Sequence, residues 1–241
     1  MLVSMLFAMF QEGRRIVLVA CGGTAEAMVG AMDSALAEFI RDPNTRTGQL
    51  GEFLARWVDR LLRDQAGLTE DHPAVAFVLV ILRMMEASGR ESFQHYSARL
   101  LARRLLARQA FFDRIAEEAL LAPLAAAYGP AFVSHQRRML ADTETSIQMT
   151  QAFHGRQKRA RLPFELSFQV LSSGSWPAAK EPPMPWDARL AECIESFGRY
   201  YGDQHSGRVL TWCPSLTTAE VSATINGRTY SFIVSCSGLG G

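Results

Sequence analysis

The sequence is short of lysine. Of its 25 basic residues only Lys158 and Lys180 are lysine, and the others are arginine. Either cation suits a solvated helix face, so the bias excludes little about the fold. It does leave few amines open to acylation or ubiquitin-type modification. Net charge is nearly absent as well, at +1 over 241 residues, which removes any global drive towards nucleic acid or a membrane. No C-x-x-C pair occurs among the four cysteines, Cys21, Cys193, Cys213 and Cys236. That argues against a zinc site and a thioredoxin-like motif, and the wide spacings suit a reduced, intracellular compartment.

Motifs for chemistry are missing too. His72, His95, His135, His154 and His205 are scattered, and none stands four residues from another, so a helical metal pair is not expected. Ser173-Gly174-Ser175 is not a G-x-S-x-G elbow, and no Walker loop is present. Cys213, ahead of Pro214 and not far from His205, reads as a small packed residue rather than a nucleophile. No catalytic set, cofactor site or metal site assembles. A binding or scaffolding protein is therefore expected, not an enzyme, and without a small-molecule substrate.

Long apolar runs are also lacking. Met1 to Phe10 is too short to span a bilayer. Arg14 and Arg15 follow it, where a secretory signal would put positive charge first, and the apolar stretch before Cys21 is short for a lipoprotein signal. Neither export nor membrane association is expected.

What is present is a globular composition, 48% hydrophobic and 20% charged. Ile16–Ala20 reads as a β-like run before Gly22-Gly23. The spacing that follows lacks the second glycine of a dinucleotide fingerprint, so a helix entry capped by Thr24 is expected instead. From Thr24 to Phe153 the periodicity is helical. One face carries Met28, Met32, Leu36 and Phe39, with a stop at Asp42-Pro43-Asn44. Leu50, Phe53, Leu54, Trp57, Val58, Leu61 and Leu62 form a second stripe, ended by Gly67. A third helix has Pro73 in its first turn and runs to a Gly89 stop; Val75–Leu82 is apolar nearly all round, which predicts a central position.

A fourth helix, Glu91–Gln109, turns Phe93, Tyr96, Leu100, Leu101 and Leu105 inward. Its Arg99, Arg103, Arg104 and Arg108 read as a solvated side, or as partners for Glu91, Glu117 and Glu118, more readily than as a nucleic-acid surface. Two further helices, near Asp113–Tyr128 and Ala131–Phe153, are separated by Gly129-Pro130. No repeat period stands out, which argues against a regular solenoid.

Gly155–Arg161 is a charged linker, and Phe164–Leu171 alternates in part, like a strand or an extended segment. A turn with Trp176 and a proline-rich connection lead to a helix, Asp187–Tyr201. Turns are expected at Gly202-Asp203 and Ser206-Gly207. Three β-runs follow, Val209–Trp212, Val221–Ile225 and Thr229–Ser235, and Asn226-Gly227 marks a tight hairpin between the last two. The fold class is thus mainly α with a small α+β C-terminal part: a helical bundle, then a helix and a short, incomplete antiparallel sheet.

Four stretches, in order, resemble the cullin homology region. Ser92–Leu106 is similar to the family helix that carries the equivalents of Phe93, Tyr96, Leu101, Arg104 and Leu105. Met139–Ser146 resembles a segment with Asp142 and Ser146 as its fixed positions, and Phe168–Pro177 resembles V-L-S/T-S/T-G-x-W-P, with Gly174, Trp176 and Pro177. Phe197–Trp212 resembles the segment ending H-S-G-R-K-L-T-W, through Phe197, Tyr201, His205, Gly207 and Arg208, with Val209 in place of the usual lysine. Phe53–Arg63 is similar to an earlier family helix. The S-S-G-S-W-P form is closer to the cullins of Skp/F-box ligases than to the anaphase-promoting complex subunit.

The resemblance implies three parts: an unmatched segment at 1–23, the family's helical bundle at 24–160, and the start of its α/β domain at 161–241. It implies a non-catalytic scaffold of a RING-type ubiquitin ligase, cytoplasmic or nuclear, whose partner is a RING-box protein that recruits a ubiquitin-conjugating enzyme. In the family that partner adds a strand to the α/β sheet. By position, the sheet and its anchors would be Trp176, Val209, Leu210, Thr211, Trp212, Val221, Ala223, Ile225, Tyr230, Phe232 and Val234. The resemblance also implies a chain truncated at both ends, without the modifier-accepting lysine. An inert fragment, or a helical module that no longer binds RING, is the alternative it leaves open.

Overall fold

The computed structural model describes residues 2–20, 25–42, 49–64, 68–106, 112–156, 166–177, 186, 188–226 and 228–235. They fall into two compact units that divide at Leu140 and Ala141. In chain order the helices are α1 (Leu2–Ala20), α2 (Ala25–Arg41), α3 (Leu50–Asp64), α4 (Pro73–Met84), α5 (Ala87–Leu106), α6 (Arg114–Tyr128), α7 (Ser134–Arg156) and α8 (Ala188–Gln204). Two strands follow, β1 (Thr218–Ile225) and β2 (Arg228–Ser235). The expected fold class, mainly helical with a small antiparallel sheet near the C-terminus, is the one observed.

The first unit is helical throughout. α4 is its centre, as its apolar composition predicts: Ala74, Val75, Phe77, Val78, Ile81 and Leu82 are all buried. Pro73 stands in the first turn, and His72 caps the helix by accepting the Ala74 amide on Nδ1 at 3.1 Å. Phe77 meets Phe7 of α1 at 5.2 Å and Trp57 of α3 at 5.5 Å between ring centroids. α6 is capped by Asp113, which accepts the amides of Ile115 and Ala116 at 2.8 and 3.2 Å.

Three boundaries differ from expectation. Ile16–Ala20 is the last turn of α1, not a strand. Val3, Leu6, Phe10 and Val17 are buried at helical spacing, and that burial overrides the β preference of a five-residue run. The Gly89 stop is an error: α4 ends at Met84, and Gly89 lies in the first turn of α5. The glycine that the packing requires is Gly51 on α3, because a Cβ there would run into the α5 backbone at the Gly89 carbonyl oxygen; a Cβ at Gly89 itself would meet only the Met85 side chain, at 3.3 Å. The turn expected at Gly202-Asp203 is absent, since α8 runs on to Gln204. The Thr24 cap, Pro43-Asn44, Gly67, Arg108 and the proline-rich connection lie outside the described residues.

The second unit holds the rest of α7, an extended segment at 166–172, α8 and the hairpin. Its core is aromatic. Phe153, Phe168, Phe197 and Tyr201 are buried together, with Leu166, Val170, Tyr200 and Leu210 packed against them. The Phe168 and Phe197 rings stack at 4.0 Å, and Phe153 meets them edge-on at 5.6 and 5.3 Å.

Candidate functional site

Two polar arrangements organise the residues singled out in the sequence. The first lies in the helical unit. Arg104 of α5 is buried among carboxylates. Its Nε donates to Glu117 Oε1 at 2.9 Å, its Nη1 donates to Asp59 Oδ1, and Arg63 donates to Asp59 Oδ2 at 2.7 Å. The arginine side expected on this helix is therefore split. Arg99 and Arg103 are exposed, while Arg104 ties α3, α5 and α6 together. Burial holds the Glu117 carboxyl above its ordinary range, against the pull of Arg104. Phe93, Leu101 and Leu105, from the same motif, are buried in the core and Tyr96 is half-buried.

The second arrangement is a ladder in the C-terminal unit. Asp142, Ser146, Thr150 and His154 stand at four-residue intervals on α7, and each holds a main-chain group of the extended segment. Asp142 Oδ2 accepts the Ser172 amide at 2.7 Å, and Oδ1 accepts the Ser172 hydroxyl at 2.8 Å. Ser146 Oγ accepts the Val170 amide at 2.8 Å. Thr150 Oγ1 accepts the Phe168 amide and donates to the Phe168 carbonyl, both at 3.0 Å. His154 Nε2 is 2.6 Å from the Leu166 carbonyl oxygen.

The match is geometric. Four helical residues advance about 6 Å, and two extended residues about 6.6 Å, so side chains four apart on a helix meet alternate residues of a strand. Phe164–Leu171 was expected to be a strand or an extended segment; the described residues 166–171 belong to no sheet, and their alternate main-chain groups bond to a helix.

The turn after the ladder returns to the same carboxylate. The Ser175 amide donates to the Ser172 carbonyl at 3.3 Å, and Gly174, third in the turn, has φ 83°, which a type II turn requires. That places Trp176 so that its Nε1 donates to Asp142 Oδ2 at 2.8 Å. The indole is 7% exposed, so Trp176 is an internal anchor. Pro177 is exposed.

The residues after α8 are arranged differently from expectation. α8 closes with the His205 ring 4.5 Å from Tyr201 and the Arg208 amide donating to the His205 carbonyl at 3.3 Å; Gly207 lies inside this turn. Val209–Trp212 is not a strand, which corrects the three-run reading. The sheet has two strands, β1 and β2. Leu210 packs against the aromatic core, and Trp212 sets its ring 6.1 Å from Phe168 and 6.3 Å from Phe197. Pro214 then opens a 3₁₀ turn. Side-chain packing takes this run away from any ladder. Val209 and Thr211 are exposed, Val209 by 91%.

The hairpin forms as Asn226-Gly227 predicts, with Ile225 opposite Arg228 and Asn226 at φ 51°. Val221 stands opposite Phe232, Ala223 opposite Tyr230 and Ala219 opposite Val234. One face of the hairpin therefore collects the apolar positions, and Val221, Ile225, Tyr230 and Phe232 are each about half exposed on it. The other face carries Glu220, Ser222, Thr224, Thr229 and Ser231 beside the Ile233 position, with Ser231 donating to Glu220 at 2.5 Å. Among the described residues no group of three or more metal-ligating side chains gathers, and no helix is long and apolar enough to cross a membrane. Cys193 and Cys213 are free thiols.

Among the described residues, seven α-helices followed in the chain by a further helix and a two-stranded sheet define the class: a mainly helical protein with a small C-terminal α+β part. Residues 1–150 match the family model described as the cullin alpha solenoid domain, and residues 170–239 match the cullin alpha+beta domain. The chain belongs to the cullin family. The first match takes in α1, for which no motif gave a counterpart. Similar curated proteins include Cullin-1 of Caenorhabditis elegans, 26% identical over 84% of this chain and 27% of its own length. Cullin-3A of Arabidopsis thaliana is 29% identical over 83% of this chain and 27% of its own. Cullin-1 of Schizosaccharomyces pombe is 26% identical over 97% and 31%. The chain thus spans about a quarter to a third of the length of the curated relatives it matches.

Proposed function

We propose that this chain is a non-catalytic scaffold component of a cullin–RING ubiquitin ligase, and that it binds a RING-box protein through its C-terminal unit. The RING-box protein would in turn recruit a ubiquitin-conjugating enzyme for protein degradation in the cytoplasm or nucleus. Family membership supports the scaffold class. The observation that carries the partner assignment is the hairpin, whose two strands present Val221, Ile225, Tyr230 and Phe232 to solvent on one face. A two-stranded sheet is marginal in water without further strands or a packed face, and strand addition by a partner supplies both. Trp212, 37% exposed beside the aromatic core, is the anchor open to contact. Trp176 acts from inside, by fixing the segment before α8.

The test is co-expression of the full chain with a RING-box protein, followed by size-exclusion chromatography. Co-elution at equal stoichiometry is the result expected. A folded chain that elutes without the partner would leave the alternative, a cullin-derived helical module with no RING-binding role.

A further inference from the structure

The pair that closes the hairpin is also its most reactive pair. Asn-Gly is favoured in a two-residue turn. It is equally the pair in which an asparagine side chain reacts most readily with the main chain, because glycine has no Cβ to shield its nitrogen. This chain has only two asparagines, Asn226 before Gly227 and Asn44 before Thr45, and no Asp-Gly pair. Asn226 is exposed, has φ 51° and follows Ile225, which stands opposite Arg228. Ring closure between side chain and main chain needs rotation about the Asn226 Cα–C bond, and the pairing of β1 with β2 holds that bond. The reaction therefore runs through the open hairpin. A two-stranded hairpin is marginal in water. This one leaves Val221, Ile225, Tyr230 and Phe232 about half exposed, so opening gives up little burial.

We infer that Asn226 is a site of spontaneous deamidation, and that its isoaspartate product locks the hairpin open. The inference stands whether or not a RING-box protein binds. The main-chain nitrogen of Gly227, having lost its proton, attacks Asn226 Cγ. A C–N bond forms, and the side-chain nitrogen leaves as ammonia. Water then opens the five-membered imide, and its proton returns to the ring nitrogen. Attack at Cγ gives aspartate, with the main chain as before. Attack at the main-chain carbonyl gives isoaspartate, whose main chain runs through Cβ and Cγ and is one atom longer. The two products differ in consequence. Aspartate is itself favoured in this turn. Isoaspartate lengthens the loop between Ile225 and Arg228, and loop length sets hairpin register. Val221 then no longer meets Phe232, nor Ala223 Tyr230. Asn226 is thus a one-way clock for the time that the hairpin spends open.

The experiment is incubation of the full chain in mildly alkaline buffer, native and unfolded in urea, beside the Val221→Pro and Asn226→Asp variants. Peptide mass spectrometry and isoaspartyl-specific methylation follow the products. The peptide with Asn226 should gain the mass of an amide turned acid and take up methyl groups, while the peptide with Asn44 stays unchanged. Val221→Pro, which opens the hairpin, should react roughly fivefold faster or more than the native wild type, towards the rate of the unfolded chain. Hydrogen exchange on the aged native chain should show the β1 and β2 amides unprotected in the isoaspartyl fraction and protected in Asn226→Asp. A native chain that does not convert while the unfolded chain converts completely would overturn the site. Equal rates for native and unfolded wild type would overturn control by the hairpin, and that comparison does not need the proline variant to fold. Isoaspartyl chains whose strands stay protected would overturn the lock.

Discussion

Asp142 and Trp176, 34 residues apart, are joined by a 2.8 Å hydrogen bond from the indole Nε1 to Oδ2, and the same oxygen holds the Ser172 amide. One carboxylate therefore closes both ends of the turn that carries Gly174. The M-x-x-D-x-x-x-S and S-S-G-S-W-P stretches are two halves of one contact.

Asp142→Ala should unseat the turn. It removes the acceptor for the Trp176 indole and for both Ser172 groups. Hydrogen bonds to a charged group contribute about 1.5–3 kcal/mol each, so with three lost a destabilisation of at least about 4 kcal/mol in denaturant unfolding is expected. Asp142→Asn keeps an acceptor and should lose less. Equal losses for the two variants would show that the hydrogen bonds are not what holds the turn.

Thr150→Val tests the ladder at its most buried rung. The substitution keeps the shape but strips the hydroxyl, leaving the Phe168 amide and carbonyl both unpaired. At about 1–3 kcal/mol per orphaned buried group, a loss of about 2–6 kcal/mol is expected, and Thr150→Ser should restore most of it. A neutral valine variant would contradict the ladder.

Much of this was legible in the sequence. The helices of the first unit follow from apolar spacing, and the hairpin follows from Asn226-Gly227. The partner of the extended segment was not legible, because alternation in Leu166, Phe168 and Val170 says which face is buried and nothing about what bonds the edge. A signal was available: Asp142, Ser146, Thr150 and His154 repeat at four-residue steps through one helix. The Val209–Trp212 run shows the opposite failure. Its β-rich composition is satisfied by packing Leu210 and Trp212 on rings rather than by a ladder. Arg104 was legible as one of a basic set, but only its position on the inner side of α5 separates it from Arg99 and Arg103.

Glu117 gives the helical unit a pH dependence of defined sign. Burial raises its carboxyl above the ordinary 4.5, despite Arg104. The folded chain then keeps a proton that the unfolded chain has already released. This group's contribution falls as pH climbs from the ordinary value through the raised one, and levels off above it. The Glu117→Gln variant cannot titrate there. Its melting temperature should move upward relative to wild type across that window, whatever its offset at the acid end. A constant difference between the two melting curves over the window would contradict the raised pKa.

Gly51→Ala probes the closest helix approach. A Cβ at Gly51 would meet the Gly89 carbonyl oxygen and stand 2.9 Å from the Phe93 amide nitrogen, all backbone of α5. Backbone cannot swing aside as a side chain can, so α3 and α5 must separate, at a cost of about 1–3 kcal/mol. A thermal melt at or above wild type would show that the two helices tolerate the separation.

The central claim, a scaffold that takes a RING-box partner on its C-terminal unit, is tested most directly by titrating the full chain with a purified RING-box protein in a calorimeter, beside the Val221→Pro variant. Val221 pairs with Phe232 in the hairpin, and proline there breaks the ladder of the second unit and should leave the melting of the helical unit intact. Saturable one-to-one binding by wild type, lost in the variant, is the predicted result. Equal binding by both chains would place the partner elsewhere, and no heat of binding from a folded wild-type chain would contradict the scaffold assignment outright.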